Sequence, residues 1–226
     1  MPEERNFAAP RLQPWWIRLA LALPFLAIVA TAVPQLADGL AQEAAYTATA
    51  YMAMDVPLPR RSYRLTAAIL SHASSSDGEA QIARAEAASL AGQSPAMVAP
   101  IAEAALNHAP ASARGWIVLA RLLEDRNPRR AAAALNLALE LAPREYYLVG
   151  PRVEAGAPLW KYLPQDARDT LLGDARMLVT DPDFHQSLLA LLAEPGGPEL
   201  LTRTFAGHPD ELRAFNRNMA RERLGL

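Results

Sequence analysis

The sequence predicts an all-α protein, and three observations lead to this prediction. Alanine, the residue with the highest helix propensity, makes up about a fifth of the 226 residues. The β-branched residues never form the long alternating runs of half-buried strands. A composition of 51% hydrophobic and 20% charged residues is that of a folded chain. We therefore expect an N-terminal transmembrane helix followed by an array of antiparallel helical hairpins.

The overall composition argues against several function classes. The formal net charge is -2, so there is no global positive field that would hold a nucleic-acid backbone, and we expect no nucleic-acid partner. The chain contains no cysteine, which excludes disulfides, thiolate metal sites and a cysteine nucleophile.

The apolar segment of residues 15–33 predicts the membrane helix. It reads WWIRLALALPFLAIVATAV, and its only charge is Arg18. This length is close to the roughly 20 residues that cross a hydrocarbon core. Basic residues lie at or before its start, whereas residues 34–59 contain none. By the positive-inside rule, residues 1–14 form a cytoplasmic tail and the rest of the chain lies outside the cytoplasm.

A cleaved signal peptide is the alternative interpretation of this segment. Leu19 to Val33 has the character of an apolar signal region, and Ala30-Thr31-Ala32 has the small-x-small pattern of a cleavage site. In both cases the bulk of the chain is exported. With the anchor retained, the predicted location is a bacterial inner membrane, crossed once, with the C-terminal domain on the periplasmic side.

Punctuation by proline and glycine divides the exported part into three segments. Residues 34–78 predict juxtamembrane helices, residues 79–182 predict helical hairpins, and residues 183–226 predict C-terminal helices that cap the array. Within the second segment, Gly150-Pro151 predicts an interruption between helices.

The hairpin segment contains an internal repeat. The interval from Ile82 to Trp116 equals the interval from Ala85 to Leu119. We call this interval the first-helix step, and it matches a helical-hairpin repeat of about 34 residues. The residues of the second helix in each hairpin recur at an interval that is one residue shorter than the first-helix step. We call this shorter interval the second-helix step. Its corresponding positions are Val98, Ala102, Ala105 and Pro110 in the first copy and Ala131, Leu135, Ala138 and Pro143 in the second.

These positions resemble the tetratricopeptide repeat, whose pattern is W-x2-L-G-x2-Y, then A-x3-F, then A and a closing P. The matching residues are Trp116, Leu119, Ala120, Leu123, Ala131, Leu135, Ala138 and Pro143. The match is degenerate, because alanine replaces the usual glycine and leucines replace the later aromatics. We expect Trp116 to pack between the two helices of its hairpin.

The resemblance also implies a binding groove on the concave surface, formed by the first helix of each hairpin. The outward positions of the best-matching first helix are Arg114, Ile117, Arg121, Glu124 and Asp125. Apolar area combined with a few charges suits a segment of another protein. On this interpretation, Arg121→Glu weakens partner binding without lowering the thermal midpoint.

Signatures of catalysis and of cofactor binding are missing from the sequence. There is no Gly-rich phosphate loop, no H-E-x-x-H and no G-x-S-x-G. Asp181, Asp183 and His185 lie close together in the chain, but a turn at Asp181-Pro182 followed by a helix capped by Asp183 accounts for both acids. We expect no catalytic residue, no metal and no cofactor.

The leading hypothesis is a non-catalytic, membrane-anchored adaptor that binds another envelope or inner-membrane protein. The segments LARLL, LALELAP and LWKYL are similar to those of small anchored repeat proteins that accompany bacterial cell-surface polysaccharide synthesis and export. One alternative is a complex subunit that contacts its partners mainly through the transmembrane helix. The other is an enzyme acting on envelope polymers, for which the available acids are Glu154, Asp166, Asp169, Asp174 and Asp181. The sequence leaves the oligomeric state open.

Overall fold

The computed structural model describes residues 22–30, 48–52 and 57–210, together with residues 32, 36, 39, 43, 212, 213, 215 and 217. This part of the chain is helical and contains no strand, so the predicted all-α class is confirmed for it. The α-helices with defined ends are α1 (Arg60–Leu70), α2 (Gly78–Leu90), α3 (Pro95–His108), α4 (Ala113–Leu123), α5 (Pro128–Leu141), α6 (Val149–Leu159), α7 (Gln165–Thr180), α8 (His185–Ala193) and α9 (Gly197–Thr204). Short 3-10 segments precede α6, follow it and precede α8.

Side-chain caps begin three of these helices. Asp77, Ser112 and Asn127 each accept a hydrogen bond from a backbone amide in the first turn that follows, at the start of α2, α4 and α5. The second helices α3 and α5 each begin with a proline, whose missing amide hydrogen is not needed in the first turn of a helix.

The caps correct the repeat register that was read from the sequence. The interval from Asp77 to Ser112 equals the interval between the buried residues Ile82 and Ile117, and it is one residue longer than the predicted first-helix step. The predicted first-helix step is therefore wrong. The second-helix step agrees with the starts of α3 and α5.

The corrected register moves Trp116 away from the centre of its hairpin. Trp116 is only partly buried at the edge of the core, and its indole Nε1 donates to the carbonyl of Pro110 at 2.9 Å. Its neighbour Gly115 takes an inward position: a Cβ there would lie 2.6 Å from Ile82 Cδ1. The close approach of α2 and α4 thus depends on Gly115. The sequence pattern instead assigned the inward position to its neighbour Trp116.

The even-numbered helices contact one another in order, from α2 to α4, α6 and α8. Each of them also contacts the odd-numbered helix that follows it, and α1 packs against α2. The main buried apolar cluster runs through all of these helices, from Met52 to Leu201. This packing order is compatible with a helical solenoid.

Helix α6 lies in the middle of the molecule and is buried along nearly its whole length. It includes Gly150 and Pro151, so the predicted interruption at these two residues is wrong. Pro151 is tolerated because it lies in the first helical turn, where backbone amides have no intrahelical acceptor.

The predicted membrane segment, residues 15–33, is described only at residues 22–30 and 32, which are helical. Leu23, Phe25, Leu26 and Ile28 are each between 59% and 66% exposed. Within the described residues, no helix has both the length and the hydropathy that a membrane span needs. Residues 15–21, 31 and 33 and the predicted cytoplasmic tail of residues 1–14 lie outside the described part of the chain.

Candidate functional site

A cavity of about 710 Å³ lies between α1 and the even-numbered helices. This volume falls within the range of roughly 300–1,000 Å³ that is typical of ligand pockets. Its lining residues are Met52, Pro57, Arg60, Tyr63, Glu86, Ser89, Leu90, Gly92, Arg114, Ile117, Val118, Arg121, Pro151, Glu154, Gln186, Leu189 and Ala190. We call this cavity the groove.

Three of the five residues predicted for partner binding line the groove, namely Arg114, Ile117 and Arg121. Ile117 is only 2% exposed, so it is part of the floor and not an outward-facing contact as expected. Glu124 and Asp125 are not among the lining residues, because they follow the end of α4 at Leu123.

Arg114 joins three parts of the chain at one end of the groove. Its guanidinium donates from Nε to Glu86 Oε2 and from Nη2 to Glu86 Oε1, both at 2.8 Å. Nη2 also donates to the backbone carbonyl of Met52. Arg114 on α4 therefore holds both α2 and the segment that precedes α1.

The segment before α1 forms a wall of the groove. The Met52 side chain belongs to the main core, and Met52 and Pro57 both line the groove. The backbone amide of Leu58 donates to the Tyr63 hydroxyl at 2.8 Å, which ties the segment before α1 to the helix itself. Two described residues that precede α1, Met52 and Pro57, are thus part of the groove.

Arg121 joins α4 to the C-terminal helices at another place in the groove. Its Nη1 lies 3.3 Å from Glu154 Oε2, and its Nη2 lies 3.8 Å from Glu194 Oε1. Glu154, on α6, has a side chain that is only 5% exposed, whereas Glu194 follows the end of α8 and is more accessible. A guanidinium with two carboxylate neighbours is largely neutralised by the protein itself.

Burial raises the pKa of the nearby Glu124 carboxyl. Arg121 lowers this pKa, while the negative charges of Glu194 and Asp125 raise it further. Burial and the neighbouring carboxylates together therefore disfavour ionisation of Glu124.

Apolar side chains also line the groove. Leu90 on α2 and Leu189 on α8 are exposed leucines that line the groove, and Val118 and Ile117 form apolar floor beneath it. An exposed leucine inside a concave surface offers contact area to a bound group, because burying it removes apolar surface from water.

Sequence reasoning missed Glu86 and Glu154, and for different reasons. In the corrected register, Glu86 occupies the position in α2 that Arg121 occupies in α4, whereas the predicted first-helix step pointed to the buried Ala87. In the sequence, Glu154 stands out only as a possible acid of an enzyme site. It lies on α6 and its partner Arg121 lies on α4, so no local pattern signals this pair.

The five acids considered for an enzyme site lie in different places. Glu154 lines the groove, but Asp166 and Asp169 are exposed on α7. Asp174 is buried against Arg152, which donates from Nε to Oδ2 at 2.8 Å and from Nη2 to Oδ1 at 3.0 Å. Burial raises the pKa of Asp174, and Arg152 partly offsets this effect.

The fifth acid, Asp181, shapes a turn. Its carboxylate accepts from the Tyr146 hydroxyl at 2.7 Å and from the backbone amide of Asp183 at 3.0 Å. The hydrogen bond from Tyr146 lowers the pKa of Asp181, and the same bond raises the pKa of Tyr146 to about 12. The predicted turn is present, but Asp183 does not cap α8, whose N-cap is Phe184.

Among the residues that the structure describes, no group of three His, Asp or Glu side chains is placed to hold a metal ion. Comparison of the chain with models of known protein families, with curated protein sequences and with solved structures found no match.

Proposed function

We propose that this chain is a membrane-anchored helical-repeat adaptor whose groove binds a segment of another envelope protein. The groove, about 710 Å³ between four successive even-numbered helices, is the observation that carries the proposal. We place the adaptor in a complex of cell-surface polysaccharide synthesis or export on the sequence resemblance alone.

The order of the helices supports a tetratricopeptide-like interpretation. The pairs α2–α3, α4–α5, α6–α7 and α8–α9 follow one another along the chain, and the first helix of each pair lines the groove. In tetratricopeptide arrays the concave surface formed by the first helices is the place where peptides and helices bind. On this view α8, which lies in the segment predicted to cap the array, belongs to the fourth pair.

The chemistry of the groove favours a protein segment as its occupant. The two arginines of α4 are engaged by carboxylates of this chain, so neither presents the open cluster of cations that a phosphate-rich ligand would require. Exposed leucines on two sides of the groove instead match the apolar side chains of a bound peptide or helix.

The exposed apolar helix of residues 22–30 supports the membrane anchor. Its leucine, phenylalanine and isoleucine side chains are largely uncovered by the rest of the protein, as expected for side chains that face lipid. Met52, which lies between this apolar helix and α1 in the sequence, is part of both the core and the groove wall. Anchoring raises the effective concentration of the groove near membrane partners.

Photocrosslinking tests the adaptor function directly. A photoreactive phenylalanine analogue is placed at Leu189 in the groove and, as a matched control, at Leu141 on α5, which is not a lining residue. Both leucines are 41% exposed. The expected result is an adduct with one envelope protein at position 189 that is missing at position 141. An adduct that is equal at both positions, or that is missing at position 189, contradicts the proposal.

A foreign anchor distinguishes the adaptor from a subunit that acts through its transmembrane helix. Residues 1–33 are replaced by an unrelated single-span helix, and the adduct at position 189 is measured again. The adaptor retains the adduct, because the groove is unchanged. Loss of the adduct at equal protein level would instead favour binding through the transmembrane helix.

A further inference from the structure

Helix α1 has an exposed face of its own in addition to the side that borders the groove. The exposed residues of this helix are Arg60, Arg61, Arg64, Leu65 and Ala68. With about 3.6 residues per helical turn, these five positions fall within about 140° of the helix circumference, so they form one continuous surface. We call this surface the basic face.

The arginines of the basic face have no acidic partner in the described part of the chain. Helix α1 contains no Asp or Glu, and none of the ion pairs between described residues includes an arginine of α1. On α2, against which α1 packs, Glu86 binds Arg114 and Glu79 accepts a hydrogen bond from the Ser112 hydroxyl. Three positive charges therefore lie together without compensation.

The position of these charges is unfavourable for the helix itself. Arg60 and Arg61 are the first two residues of α1, and its first turn contains no acid. The N-terminus of a helix carries a partial positive charge, so cations there destabilise the helix and carboxylates would stabilise it. Since the exposed arginines also add nothing to the buried core, their placement points to an anion outside this chain.

Two features favour a membrane surface as the source of that anion. Leu65 is 62% exposed within the basic face, and a membrane interface accepts both cations at its headgroups and an apolar side chain at the acyl boundary. The exposed apolar helix of residues 22–30 precedes α1, and residues 34–59 contain no Lys or Arg. The basic face thus carries the first cations after the predicted anchor.

We propose that the basic face of α1 docks on the anionic surface of the membrane in which the chain is anchored. This inference rests on the membrane anchor of the proposed function, because the anchor keeps α1 at a high effective concentration near the lipid. Arg60 and Tyr63 of α1 also line the groove. Docking therefore holds the groove close to the membrane surface, where a segment of an inner-membrane partner emerges.

Contact-range fluorescence quenching tests the docking on the full chain. The chain is reconstituted into vesicles of phosphatidylcholine alone, or of equal parts of phosphatidylcholine and phosphatidylglycerol, with a spin-label quencher on some headgroups. A fluorophore is attached at Ala68→Cys in the basic face and, as a matched control, at Ala133→Cys, an exposed alanine on α5. We expect quenching at position 68 in the anionic vesicles only, little quenching at position 133, and loss of the signal at high salt.

Charge variants then separate attraction to lipid from other contacts. Arg61→Gln combined with Arg64→Gln should lower the docking equilibrium about tenfold to thirtyfold, because each arginine near an anionic surface contributes roughly fivefold. Arg60 is kept because it lines the groove. Lysine at positions 61 and 64 should retain docking, since a headgroup layer requires charge and not the planar geometry of a guanidinium. Arg126→Gln combined with Arg129→Gln, two exposed arginines near the start of α5, is the control that should change nothing.

The outcomes distinguish this inference from the proposed function. A chain that alkaline carbonate removes from both kinds of vesicle is not anchored, and the membrane-anchored adaptor and this inference are then both wrong. If the chain stays in the vesicles, equal quenching at position 68 in the two lipid mixtures, or full quenching in the double glutamine variant, overturns the inference alone. A photoreactive residue at position 68 that captures an acidic protein in cells, with no quenching in anionic vesicles, would show that the basic face binds protein and would also overturn it.

Discussion

The buried ion pair between Arg152 and Asp174 allows a sharp test of what holds the helices around the groove together. Arg152 on α6 is only 1% exposed, and its guanidinium makes two hydrogen bonds to Asp174 on α7. Its Nη1 also donates to the carbonyl of Ala142, just after α5, at 2.5 Å. One side chain thus connects three consecutive helices on the side of α6 opposite to Glu154.

Removing one partner of this pair should cost far more than removing both. Asp174→Ala leaves a buried guanidinium with only the Ala142 carbonyl as a compensating acceptor, and we expect the free energy of unfolding to fall by about 3–5 kcal/mol. Arg152→Met combined with Asp174→Leu removes both charges and keeps apolar volume, so this double variant should recover most of the loss. The raised pKa of Asp174 agrees with this expectation, because it means that burial penalises the carboxylate more than Arg152 favours it.

Urea unfolding, followed by far-ultraviolet circular dichroism, measures both variants. A double variant as unstable as Asp174→Ala would refute the reasoning, since the loss would then come from packing and not from an uncompensated charge. The pH dependence gives an independent check. A carboxyl whose pKa is raised on folding contributes more stability as the pH falls through that raised pKa, and Asp174→Ala should remove this component.

Three further predictions concern the register, the turn at Asp181 and the topology. Ile117→Ala should lower the free energy of unfolding by about 2–5 kcal/mol. Because Ile117 is buried and Trp116 is only partly buried, this loss should be at least as large as that of Trp116→Ala, although tryptophan is the larger residue. A larger loss for Trp116→Ala would instead support the shorter first-helix step. Tyr146→Phe should raise the pKa of Asp181, which carboxyl NMR titration measures. The same variant should remove the absorbance change that accompanies ionisation of the Tyr146 phenol, whose pKa is about 12. An unchanged pKa of Asp181 would mean that the hydrogen bond between the two side chains is not formed. The chain has no cysteine, so Ser75→Cys introduces a single thiol in the exposed loop before α2. If the array lies outside the cytoplasm, this thiol should react with a membrane-impermeant maleimide on intact spheroplasts. Reaction only after lysis would place the array in the cytoplasm.

The fold class was predictable because helix propensity and punctuation by proline act locally. Prolines at 95 and 128 begin α3 and α5, and the two helices keep the second-helix step read from the sequence. The register of the first helices was not predictable from the aromatic pattern. Gly115 and Ile117 face inward, and Trp116 lies at the edge of the core. Position 115 lies so close to Ile82 on α2 that only a residue without a side chain fits there.

The groove was predictable in part, because helical periodicity places residues on one face of a helix by local sequence alone. Arg114, Ile117 and Arg121 lie on one face of α4 by helical periodicity alone, and all three line the cavity. Their partners Glu86 and Glu154 come from other helices, at separations that depend on how the pairs stack. Local sequence patterns carry no information about such contacts.

The role of Arg121 changes most between sequence and structure, and the change alters which variant is informative. Viewed from the sequence, Arg121 is a free cation for a partner, and Arg121→Glu should affect binding alone. In the structure its guanidinium neutralises the almost fully buried Glu154, so the reversed charge would place a third carboxylate beside Glu154 and Glu194 and would also lower stability. Loss of binding with that variant would not distinguish a lost contact from a disturbed groove. Leu189 lines the groove, is exposed and takes part in no ion pair, so a change at this residue reports on the partner without disturbing the pair of Arg121 and Glu154.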